Sequence, residues 1–122
     1  MSSMSNTTKF NTTINNLFDD LAKLYPDNKM FIVNKEKFNM LIKYNAKKFM
    51  NEFYTHLYKY KNEIINEDEN FFLEKISNLE NNNLKQIIDL KDLWINLNND
   101  NKKTLWLYFQ VLITLIDKEF SS

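Results

Sequence analysis

His56 is the only histidine, and Glu52 precedes it by four residues, one turn away on the same flank of any helix there. A zinc or iron site needs at least three such ligands converging, and one histidine with scattered glutamates does not supply them. The acid pairs Asp19/Asp20 and Asp89/Asp92, with the Glu67–Glu69 cluster, carry the residue types of general acid–base work. Adjacent helical residues point about 100° apart, however, which suits no proton shared by Asp19 and Asp20. A solvated helix face or an N-terminal dipole partner accounts for each of these acids more simply. The chain has no glycine, so it offers neither a phosphate-cradling loop nor a strained nucleophile elbow. It has no cysteine either, which removes disulfides, thiolate metal sites and cysteine nucleophiles together. Enzyme is therefore the least favoured class, and the sequence assigns no catalytic, cofactor-binding or metal-binding residue.

Two other chemistries remain. The segment 46–62 interleaves lysines with Phe49, Phe53, Tyr54, Tyr58 and Tyr60, the mixture of charge and rings used on nucleic acids. Lys43, Lys47, Lys48, Lys59 and Lys61 are its candidate contacts. Against it, Phe49, Phe53, Leu57 and Tyr60 already form a buried stripe, which leaves only Tyr54 and Tyr58 to stack on bases. All sixteen basic residues are lysine, so the bidentate contacts of arginine are missing. A formal net charge of zero also gives no whole-molecule pull toward nucleic acid or acidic lipid. The simpler reading is a solvated basic face that pairs with the acidic segment 63–80 or with an acidic partner. The second chemistry is protein recognition. Trp94 and Trp106 are core anchors by default, but surface left exposed around Trp94, Trp106 or Tyr108 would mark a protein-binding site, since Trp and Tyr concentrate in such sites.

What positions these residues is a series of helices. In the last one Leu105, Phe109, Leu112 and Ile116 share a face. Trp106, Tyr108, Val111, Ile113 and Leu115 cover most of the remaining circumference. A helix apolar nearly all round must be sheathed by other elements, so residues 103–119 are expected to be a central rod. The segments 46–62 and 84–97 are expected as its main neighbours, and Asp100 as its cap.

Upstream, residues 1–10 read as a flexible, Ser/Asn/Thr-rich segment, and residues 11–120 as a single helical domain. Thr12 or Thr13 caps a first helix with Ile14, Leu17, Phe18, Leu21 and Leu24 on one face, stopped by Pro26. Asp27 or Asn28 caps a second helix presenting Phe31, Phe38, Leu41 and Ile42, and Asn45 ends it or caps the next. Asn66-Glu67-Asp68-Glu69 has the form of a capping box ahead of a short helix through Phe71, Phe72, Leu73 and Ile76. Leu84, Ile87, Ile88, Trp94 and Leu97 mark a fifth helix. No run alternates as a strand does. With glycine absent, left-handed helix caps fall to asparagine, of which there are twenty. The fold expected is all-α, a compact bundle of five to six helices around the apolar C-terminal one.

Composition sets outer limits. At 122 residues and 43% apolar content, with ten Phe, six Tyr and two Trp, one domain has a real core to build. The longest strongly apolar run, Leu105–Ile116, is broken by Gln110 and Thr114 and falls short of the roughly 20 residues of a membrane span. The polar start MSSMSNTTKF has no signal-peptide core. A soluble intracellular protein without a membrane span is the expectation. Asn, Lys, Ile, Phe and Tyr also share A/T-rich codons, so much of the bias reflects an AT-rich genome.

The segment LKDLWINLNNDNKKTLWLYFQVLITL resembles a C-terminal signature of small all-helical proteins of nucleocytoplasmic large DNA viruses, the giant viruses. That pattern reads L-W-x-x-L, then (N)-K-x-x-(I/L)-W-x-Y-(F/L)-x-x-L. FDDL near Phe18 and NEDENFFL at Asn66–Leu73 look like further matching blocks, so the likeness spans most of residues 17–118. It implies a virus-encoded protein of the infected host cytoplasm or virus factory, or one packaged in the virion, with no activity attached. The function expected is non-enzymatic binding of a viral or host protein or a second copy, with a nucleic-acid accessory role as the alternative.

Overall fold

Phe10, Ile14, Leu17, Phe18 and Leu21 recur at helical spacing, and all five are buried on one face of helix α1 (Asn6–Leu24). In the computed structural model, which describes residues 5–80, 85 and 90–120, this helix begins earlier than its composition suggests. Ser5 caps it, its hydroxyl accepting from the Thr8 N–H at 3.1 Å, so residues 5–10, expected within the flexible segment, are a helix cap and its first turn. Phe10 explains the extension: it is wholly buried, and its burial outweighs the weak helix propensity of the Asn and Thr residues around it. The helix stops at Leu24, before Pro26, whose ring disfavours helix in the residue ahead of it.

Helix α2 (Met30–Leu57) starts where the Asn28 side chain accepts from the Met30 N–H at 3.0 Å. It is bent into two arms at Asn45, whose backbone is extended (φ −167°, ψ 94°). The Asn45 side chain then accepts from the Lys48 N–H at 3.0 Å, so this one residue ends the first arm and caps the second. Phe31 and Phe38 are buried from the first arm, and Phe49, Met50, Phe53 and Leu57 from the second. A tight 3₁₀ turn, Tyr58–Tyr60, leads into the short α3 (Lys61–Ile65).

The capping box anticipated at Asn66 does not form. Asn66 closes α3 instead, and Glu67 succeeds it at φ +55°. The Glu67 N–H bonds to the Ile64 carbonyl at 3.3 Å and the Asp68 N–H to that of Glu63 at 2.9 Å, the paired bonds of a left-handed helix stop. The expectation that asparagine fills such positions fails here, since a glutamate takes this one. Asp68 is the actual cap of the next turn, accepting from the Asn70 N–H at 3.0 Å. The chain then winds through a widened turn, Phe71–Lys75, and a 3₁₀ turn, Ile76–Asn78, burying Phe71, Phe72 and Ile76. Of the expected fifth helix, Leu84, Ile87 and Ile88 lie outside the described residues. Its described part is α4 (Lys91–Trp94), around which Leu90, Trp94 and Leu97 are buried.

Helix α5 (Asn99–Phe120) is capped by Asn98, which accepts from the Asn101 N–H at 2.8 Å, while Asp100 stands in the first turn. Leu105, Trp106, Phe109, Leu112, Ile113, Leu115 and Ile116 are buried. Among the described elements its widest packing is against α1, with smaller contacts to α3 and α2, so the first helix and not the segment 46–62 is the principal described neighbour. Of the segment 84–97, Trp94 meets Trp106, and residues 84 and 86–89 lie outside the described residues. Nor is α5 sheathed all round, because Asp100, Thr104, Leu107, Val111, Thr114 and Lys118 form an exposed line along it. Among the described residues helix is the only regular secondary structure, and the buried side chains form one core: an all-α bundle.

Rings carry much of that core. Phe72 stacks on Trp94 at 4.4 Å and meets Trp106 at 4.8 Å and Phe109 at 5.1 Å. A second series runs Phe10–Phe53–Phe49–Phe38 at 4.8–5.3 Å. Phe72→Ala is expected to cost about 3–5 kcal/mol, seen as a large fall in the urea midpoint at unchanged slope. Glu67→Gly should melt above the parent and Glu67→Ala below it by calorimetry, because only glycine releases the left-handed strain.

Candidate functional site

Along the exposed line of α5, apolar side chains meet solvent in an ordered way. Leu107 is 52% exposed and Val111 46%, one turn apart. Thr104 and Thr114 flank them, and each hydroxyl donates to the carbonyl four residues back, Asp100 at 3.1 Å and Gln110 at 2.8 Å. With the hydroxyls satisfied inside the helix, the threonine methyls are left to pack. Thr13 and Asn16 of α1, together with Thr104, Leu107, Tyr108 and Val111, line a shallow groove of about 350 Å³ beside this line.

Both flanks of the surface are fastened to the body. On one, the Tyr108 hydroxyl donates to the Asp20 carboxylate and lies 3.4 Å from the Asn16 carbonyl, joining α5 to α1. Burial, and then the negative Asp20 beside it, pushes the Tyr108 hydroxyl up to about 12. On the other, Gln110 Nε2 donates to the Ile64 carbonyl at 3.2 Å, satisfying the end of α3. The polar break that Gln110 makes in the apolar run is thus a cap for another helix. Lys103 pairs with Glu67 at 2.5 Å and Lys102 with Glu69 at 3.3 Å, and Lys103 holds the Glu67 carboxyl below its ordinary range.

Trp94 and Trp106 take the core positions that were their default reading. Both are buried, in T-shaped contact at 5.2 Å, so neither presents a surface to a partner. Tyr108 is partly buried and lines the groove, but its hydroxyl is committed to Asp20. On α5 the large apolar residues that reach solvent are Leu107 and Val111. Their signal in the sequence is the 3–4 spacing with Thr104 and Thr114, which the near-circumferential apolar run obscures.

The lysine set is split. Lys47 pairs with Glu119 at 2.9 Å and Lys61 with Asp117 at 3.2 Å, and Tyr58 donates to the same Asp117 at 2.6 Å. Asp117 raises the Lys61 ammonium and Lys47 lowers the Glu119 carboxyl. The basic face therefore pairs with the end of α5, while the described partners of the acidic segment are lysines at the start of α5. Lys59 lies over the Tyr60 ring at 5.2 Å, and Lys43 and Lys48 are exposed. Of the two stacking candidates, Tyr54 lies flat on Phe120 at 4.8 Å and Tyr58 is held by Asp117. Tyr44, outside the apolar stripe, is 90% exposed between these lysines.

His56 Nε2 lies 3.6 Å from Glu52, and no group of three or more His, Asp or Glu side chains suited to a metal occurs among the described residues. Asp19 pairs with Lys35 at 2.6 Å and Asp20 accepts from Tyr108, so the adjacent acids serve two separate contacts. Asp89 lies outside the described residues. No helix is long and apolar enough to cross a membrane among those described.

Tyr108 makes the alkaline limit of the fold testable. An unfolded chain ionises tyrosine at about pH 10 and the folded one at about 12. The neutral hydroxyl is the form the fold favours, so its contribution is complete below the first value and lost as pH rises through the second. Denaturant titrations across this window should show a steeper loss of stability in the parent than in Tyr108→Phe.

The chain matches no family model, no curated protein and no solved structure.

Proposed function

We propose that this protein is a non-enzymatic protein-binding domain that acts through the outer face of α5. One observation carries the reading: Leu107 and Val111 stand half-exposed, side by side, on a helix fastened along both flanks. A rigid apolar pair beside a groove loses little conformational entropy on binding and gains from leaving water. The likeness of residues 93–112 to a signature of large DNA viruses makes the partner a viral or host protein of the infected cytoplasm or the virion. Leu107→Lys/Val111→Lys, used as bait against the parent, should lower capture of any specific partner at least about tenfold, the scale of a loss of ~1.4 kcal/mol. Equal capture by the two baits refutes the reading.

A second reading, a nucleic-acid accessory role, draws on Tyr44 standing exposed in the chain between the exposed Lys43 and Lys48. An exposed ring with lysines close by in the chain is the mixture that suits a base next to its phosphates. Gel shifts with single-stranded oligonucleotides should then weaken steeply as salt rises, and Tyr44→Ala should weaken them at every salt concentration. No shift at low salt ends this reading.

A further inference from the structure

The exposed line on α5 has an order that single exposed residues lack. Asp100, Thr104, Leu107, Val111, Thr114 and Lys118 are spaced 4, 3, 4, 3 and 4 residues apart, the seam of a two-helix coil. The order is also a mirror about Phe109. Leu107 and Val111 lie equally far from it, Thr104 and Thr114 likewise, and so do Asp100 and Lys118. Laid antiparallel on a second copy, the seam sets Leu107 against Val111, Thr104 against Thr114 and Asp100 against Lys118, each layer occurring twice. A parallel arrangement sets Asp100 against Asp100 and Lys118 against Lys118, so charge selects the antiparallel one.

We infer that the occupant of this face is a second copy of the chain, paired antiparallel through α5 about a two-fold axis at Phe109. The inference rests on the protein-binding reading and names its partner. Such an interface is isologous, each patch meeting its own image, and closes at two chains. The seam from Asp100 to Lys118 is about 27 Å long. Two helices meeting over that length bury less than the roughly 1,200 Å² of a standard interface, so the dimer is weak and concentration-dependent. Thr13 and Asn16 of α1, on the wall of the groove, flank the incoming helix.

The absence of cysteine gives a test that reads register as well as association. Thr104→Cys and Thr114→Cys chains are oxidised with glutathione disulfide, singly and mixed, at chain concentrations up to about 1 mM. In the inferred pairing position 104 of one copy meets position 114 of the other, whereas the two copies of position 104 stand roughly 15 Å apart. The mixture should therefore form at least about ten times more disulfide-linked dimer than either variant alone. Added to both chains, Asp100→Lys or Lys118→Asp should suppress that dimer, and Asp100→Lys/Lys118→Asp together should restore it, with circular dichroism confirming each fold. A mixture that crosslinks no better than the single variants overturns the inference, as does a double swap that fails to restore it. If self-pairing fails while Leu107→Lys/Val111→Lys still loses a bait partner, the dimer is overturned and the protein-binding reading stands.

Discussion

Seven large apolar side chains between Leu105 and Ile116 must leave water on one helix, and the other described elements are arranged to receive them. Each contributes roughly 1.5–3 kcal/mol when buried, before conformational entropy is set against it. α1 offers the longest apolar face to them, Phe10 to Leu21, and takes the widest contact. Phe71 and Phe72 arrive from the widened turn, with Trp94 behind them, and close around Trp106 and Phe109. The same demand for burial explains why helix begins as early as Asn6: without Phe10, Phe53 would lose one of its two ring partners in the second series.

Charge then fixes how the rod lies. Its start carries Lys102 and Lys103, which meet Glu69 and Glu67, and its end carries Asp117 and Glu119, which meet Lys61 and Lys47. All four pairs are at least partly exposed, and such pairs add little to stability. Their effect is on orientation, because reversing the rod end for end would bring lysine to lysine and acid to acid. The same pairs draw Lys47 and Lys61 away from any external phosphate.

The interior faces of α1 as far as Leu21 and of both arms of α2 were legible in the 3–4 spacing of large apolar residues, although Leu24, read on the same face as Leu21, is exposed where the helix ends. Asn28 and Asn45 were legible as side-chain caps. Three features were not. A Ser/Asn/Thr tract hides a helix start when a single buried Phe10 carries it. Glutamate at a left-handed position has no local signal, because a fastening to Lys103 from far along the chain accompanies it. The third is the phase of α5. Where apolar residues cover nearly the whole circumference, periodicity fixes the helix but not which side meets water. Thr104 and Thr114 mark the outer side, while Gln110, equally polar, turns to the end of α3.

That ambiguity bears on which exposed apolar residues mean anything. Scattered ones are ordinary on any protein surface, and this chain has several, Ile32, Val33, Met40 and Ile95 among them. The first arm of α2 supplies a control. Its exposed line Val33, Glu36, Met40, Lys43 has the same 3–4 spacing as the line on α5. Antiparallel self-pairing there sets Met40 against Glu36 in one register and against Lys43 in the next, a charge on an apolar side chain either way. On α5 the apolar pair sits at the centre, satisfied threonines lie outside it, and opposite charges stand at the two ends. Spacing alone comes from any helix having an outer face; it is the mirror order of residue types on α5 that physical complementarity requires and helix geometry does not supply.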